Sequence, residues 1–107
     1  MVKLDIKPLS LNHAYRGRRF ATQELKDFKD TVSLILPKRT PLRGNLSVFY
    51  RFGVSSKGAD VDNCIKVFQD ALAETYGFND NRIYRWVVEK VIVPKGQEFI
   101  MFEIDEL

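Results

Sequence analysis

Between Asn45 and Gly77 the apolar pattern of this 107-residue chain changes period, and that change limits what the chain can fold into. In "NLSVFYRF", Leu46, Val48, Tyr50 and Phe52 alternate with their neighbours, as in a strand with one buried face. The polar loop "VSSKGA" follows, and then "DVDNCIKVFQDAL". At 3.6 residues per turn, Val61, Cys64, Ile65, Phe68, Ala71, Leu72 and Thr75 share one side of a helix, while Asp62, Lys66, Gln69 and Asp70 share the other. This predicts a helix that begins near Asp60, with Asp60 as its N-cap, and stops at Gly77. The apolar side packs and the charged side is presented.

The same rules organise the flanks. "VKLDIK" alternates Val2, Leu4 and Ile6 and ends at Pro8, a short strand. "SLNHAYRGRRFA" has no period and reads as a loop or loose hairpin. Thr22 is an N-cap, and Leu25, Phe28, Val32, Ile35 and Leu36 stripe a helix of about four turns that Pro37 ends. "RIYRWVVEKVIV" and "EFIMFEI" are β-rich runs joined by "PKGQ", which predicts an antiparallel hairpin. The expected fold is one α+β domain over residues 1–107, order β-α-β-α-β-β, with helices packed against a mixed sheet.

Composition excludes several functions. Cys64 is the only cysteine and His13 the only histidine, so a thiolate-rich or histidine-rich metal site within one chain is excluded. Cys64 reads as a small buried hydrophobe and His13 as a loop or surface residue. Any metal must be held by oxygen, which points to magnesium, manganese or calcium. No apolar run reaches the roughly 20 residues of a membrane span, and "MVKLDIKPLS" lacks a signal-peptide core, so a cytoplasmic location is expected. Residues 1–57 hold 12 Lys+Arg and 4 Asp+Glu, a balance of +8; residues 58–107 hold 5 and 10, a balance of −5. The basic half suits a polyanion, although a solvated basic surface has the same composition.

The acids of the second half have competing readings. An EF-hand loop needs oxygen ligands at alternate positions and a glycine at the sixth, where this chain has Ile65. An aspartyl-phosphate enzyme places its D-x-D directly after a strand, but "SSKGA" intervenes. Two accounts remain. Asp62 and Lys66 form an ordinary i,i+4 ion pair on a solvated helix face, or they belong to a site that Asp80, in "GFNDNRI", completes when the chain folds back. Converging carboxylates repel unless a cation neutralises them, and a divalent ion with lysine beside it suits phosphodiester chemistry.

"DVDNCIKVFQDAL" with "GFNDNRI", and "PLSLNHAY" upstream, resembles the signature of RusA-type Holliday junction resolvases, from about Pro8 to Gly96. The resemblance implies a RusA-like endonuclease domain: a Mg²⁺-dependent (or Mn²⁺-dependent) endodeoxyribonuclease, acting as a homodimer on four-way junctions and related branched DNA by paired cuts, in bacteria or phage-infected cells. It makes Asp60, Asp62 and Asp80 the catalytic, metal-binding acids and Lys66 the essential lysine. Asp70 matches a recurrent acid whose role is an ion pair or helix-face contact. Asn79 departs from the pattern, standing where the family commonly has a second acid.

The expected DNA-contacting residues are Arg16, Arg18 and Arg19, flanked by Tyr15 and Phe20; Lys38, Arg39 and Arg43 in a second basic turn; and Lys57 just before the acids. Arg82 and Arg85 either add to that surface or pair with acids. Trp86 and Tyr84 are candidates for a dimer contact, with core packing the other reading of Trp86. Two rivals stand beside the resolvase: a catalytically silent branched-DNA-binding module whose acids only cap and solvate the helix, and a hydrolase of free nucleotides.

Overall fold

The computed structural model describes residues 1–17 and 20–107. In chain order the elements are β1 (Val2–Leu4), α1 (Leu11–Ala14), β2 (Tyr15–Arg16), β3 (Phe20–Ala21), α2 (Gln23–Ile35), β4 (Leu46–Val54), α3 (Asp62–Tyr76), a 3-10 turn (Asp80–Arg82), β5 (Ile83–Ile92) and β6 (Phe99–Glu106). The fold is α+β with a mixed sheet, as expected. The aperiodic segment before α2 holds one helical turn and a two-residue hairpin pairing Tyr15 with Ala21 and Arg16 with Phe20.

Local chemistry sets the helix ends. The Thr22 hydroxyl accepts from the Leu25 N–H at 3.2 Å and donates to the His13 carbonyl at 2.7 Å, so it caps α2 and ties it to α1. Gly77 closes α3 at φ 71°, a left-handed conformation that suits a residue without Cβ. The N–H groups of Gly77 and Phe78 both reach the Ala73 carbonyl, and buried Phe78 turns the chain back towards the sheet. Asp60 is not the N-cap of α3. That place falls to Val61, with no side-chain cap; the backbone carbonyls of Asp60 and Val61 accept the first bonds of the turn.

Sheet order is β1-β6-β4-β5, so the expected β5–β6 hairpin does not form. α3 carries the chain back to the end where β4 began, and β5 therefore enters parallel to β4, a strand-helix-strand crossover. β6 pairs antiparallel on the other side of β4, because Ile100, Phe102 and Ile104 supply the inward apolar face that the exposed β5 lacks. The core lies between this inward face and the helices: Val48, Tyr50 and Phe52 from β4, Ile100 and Phe102 from β6, Phe68 and Leu72 from α3, and Val32 from α2. On the opposite face Phe99 lies over Gly53, its register partner, where a Cβ would collide with the ring. Among the described residues no helix is long and apolar enough to cross a membrane.

Candidate active site

The charged face of α3 begins where the loop from β4 arrives. That loop is pinned from below: the Lys90 ammonium, near the end of β5, donates to the carbonyls of Lys57 and Ala59, both at 2.7 Å. Asp60, the next residue, borders a groove of about 900 Å³ whose walls include Asn12, His13, Asn63 and Cys64. Its carboxylate receives one long contact, from the Asn63 side chain at 3.4 Å. Asp62 stands exposed in the first turn of α3, with no side-chain hydrogen bond or ion pair among the described residues. Burial, with the Asp60 charge behind it, pushes the Cys64 thiol up, so that cysteine is an inert packing group as expected.

One turn further on, Lys66 does not turn back to Asp62. Its ammonium lies 3.0 Å from Asp70 Oδ1 and 3.4 Å from Asp80 Oδ2. Two carboxylates outweigh one, and the hydrogen bond that Lys66 donates to Asp70, helped by the charges of Asp70 and Asp80, holds the Lys66 ammonium above the usual lysine range. Asp80 arrives because Gly77 and Phe78 reverse the chain, and because Asn79 caps the 3-10 turn by accepting from the Asn81 N–H at 3.0 Å. The departure at Asn79 thus keeps the capping oxygen that an aspartate would offer.

Gln69, expected on the presented face, is buried. Its side-chain oxygen accepts from the Tyr50 hydroxyl at 3.0 Å and from the Trp86 indole N–H at 2.8 Å, which locks α3 to β4 and β5 beneath the charged row. Gln69→Leu is expected to leave the Tyr50 hydroxyl without a partner and to cost about 1–3 kcal/mol. Urea denaturation reads this, and Tyr50→Phe in the same background should recover part of the loss.

The acids therefore form a row along α3, with Asp60 and Asp62 at its start and Asp80 brought to Lys66 and Asp70. Among the described residues no three Asp, Glu, His or Cys side chains already stand as one metal-holding group. The donor chemistry nevertheless fits a hard cation: all three expected ligands are carboxylates, two of them uncommitted to the fold and the third held only by a partly exposed lysine.

The basic residues divide. Arg16, Lys38, Arg43 and Lys57 are exposed, whereas Arg18 and Arg19 lie outside the described residues. Arg39 donates to the Ile104 carbonyl at 3.0 Å and lies 6.0 Å over the Tyr76 ring, so part of its capacity serves the fold. Arg82 holds the carbonyls of Gly44 and Leu42 and is structural. Lys38 and Arg43 precede β4 and Lys57 follows it, so they flank opposite ends of a strand roughly 26 Å long. Lys90 and Gln69 are positioning residues that the sequence motifs do not mark. For Lys90 a signal existed, since it falls in register with inward-facing Trp86, Val88 and Ile92.

Asp62, Lys66 and Asp70 on α3, with Asp60 before it and Asp80 after it, gather carboxylates and an ammonium of the kind that handles phosphate esters. Residues 9–101 match the family model described as Endodeoxyribonuclease RusA, and the chain belongs to that family. No curated protein matches the chain. Membership implies Holliday junction resolvase activity on branched DNA, and nucleases of this family typically require a divalent metal.

Proposed function

We propose that the chain is a single Mg²⁺-dependent endonuclease domain over residues 1–107 that works as a homodimer, cutting four-way junctions by paired incisions in the cytoplasm of a bacterial or phage-infected cell. The observation that carries this reading is the meeting of Asp80 with Lys66 across fourteen positions of sequence, which makes one row of the helix acids and the distant one. Asp60, Asp62 and Asp80 would hold the metal, with Mn²⁺ able to replace Mg²⁺. The ion, when bound, neutralises phosphate charge and activates water. Lys66, steadied by Asp70, places its positive charge where the phosphate becomes more negative. Arg16, Arg18, Arg19, Lys38, Arg43 and Lys57, with Arg39 in part, hold the backbone through phosphates and carry no base specificity. Two cuts need two such sites, which a twofold dimer provides.

Incubating the purified protein with an end-labelled four-way junction tests the reading. Symmetric nicks that appear with Mg²⁺ and vanish with EDTA are expected. A junction shifted but uncut in Mg²⁺ and in Mn²⁺ would establish the silent binding module instead, and turnover of free nucleotides without junction affinity would establish the hydrolase.

A further inference from the structure

β5 is one of the two edges of the four-stranded sheet. It runs ten residues, pairs on one side with β4 alone, and exposes Tyr84, Trp86, Val87 and Ile92. Its outer main-chain groups have no strand partner among the described residues, and a long unpaired edge that exposes apolar side chains is a template for another strand. We propose that β5 pairs antiparallel with β5 of a second copy, with the twofold axis at Val87. This interface rests on the homodimer reading and says where the dimer forms.

Charge selects both the occupant and the register. When a strand pairs antiparallel with its own copy, the axis stands perpendicular to the sheet and passes between one residue and its symmetry mate. Facing residues then share a face of the sheet. Arg85, Val87 and Glu89 alternate on the face that carries no helices, where Glu89 also meets Arg51 of β4, 2.8 Å from Nε to Oε1. Centring on Val87 sets Arg85 opposite the partner's Glu89 and, by symmetry, Glu89 opposite the partner's Arg85. Centring on Trp86 sets Arg85 against valine, and centring on Val88 sets Trp86 against lysine; neither joins opposite charges. Glu89 has an oxygen beyond the one Arg51 uses, so the pairing makes a run of alternating charge, Arg51 to Glu89 to the partner's Arg85, twice over.

The geometry also suits the chemistry. A perpendicular axis joins two four-stranded sheets into one of eight and keeps both helical layers on the same side. α3 packs beside β5 through Gln69 and Trp86, so the two acid rows flank the axis on one surface, where a branched duplex can meet both.

Sedimentation equilibrium of the full chain tests this. Arg85→Glu places four carboxylates around the axis, and Glu89→Arg places four guanidinium groups there. Each variant alone is expected to raise the dimer dissociation constant at least about tenfold. An equimolar mixture should regain dimer, because every Glu then faces an Arg, and both residues are exposed, so circular dichroism should show each variant folded. Variants that dimerise like the wild type would overturn this interface and leave the homodimer standing. A mixture that stays dissociated would overturn the register. A wild type monomeric at all concentrations would overturn the homodimer reading itself.

Discussion

Asp62→Asn is expected to abolish junction cleavage, lowering the rate by at least about 10²–10³, the loss typical when one group that stabilises transition-state charge is removed. Folding and junction binding should survive. Asp62 is exposed and makes no side-chain bond among the described residues, so its only structural contribution is a carboxylate near the start of α3. That interaction with the helix end is worth about 0.3–1 kcal/mol. A large catalytic effect with a small stability effect separates a working acid from a solvated one. Single-turnover cleavage of a labelled junction in Mg²⁺ measures the first, a gel shift in EDTA measures binding, and urea denaturation measures stability. Full cutting by the folded variant would remove Asp62 from the site.

Phe68→Ala should have the largest effect on stability, about 3–5 kcal/mol. Phe68 has no solvent exposure and packs edge-on to Tyr50 at 5.4 Å and to Phe52 at 6.3 Å, with Phe102 tilted against it at 5.7 Å. Truncation removes the ring that joins α3 to β4 and β6 and leaves a void that a closely packed interior fills poorly. Small domains are stable by about 5–15 kcal/mol in total, so the variant should unfold at much lower urea concentration. Leu34, 83% exposed on α2, provides the control: its replacement by Ala should barely move the midpoint. A near-neutral Phe68→Ala would contradict the packing described.

The contrast between Asp62 and Phe68 comes from the helix that both occupy. α3 buries Phe68 and Leu72 to hold the fold and uses the opposite side for Lys66 and Asp70. Gln69 lies between the two sides. Counted on a helical wheel it belongs with the charged residues, but the wheel does not show that Tyr50 and Trp86 reach up from neighbouring strands to the same oxygen. Similarly, the i,i+4 spacing of Asp62 and Lys66 suggests a pair that the folded chain declines, because Asp80 is absent from any local view of the helix. Asp70, which the motif leaves as an accessory acid, is the nearer partner of Lys66.

By itself the sequence determined what short-range physics decides. The Thr22 cap, the stop at Gly77 and the alternation of Leu46 to Phe52 depend on a residue and its near neighbours, so they can be read from the order of residues alone. The motif residues carried the family, which the match over residues 9–101 shows. Tertiary structure alone decided which strand sits beside which, and with it where the distant charges meet. β5 and β6 are both apolar runs joined by a turn, yet the crossover through α3 places β5 parallel to β4 on one side while the better inward face of β6 takes the other. That competition for burial along the whole sheet has no local signature. It delivers Asp80 to Lys66 and leaves β5 at the edge.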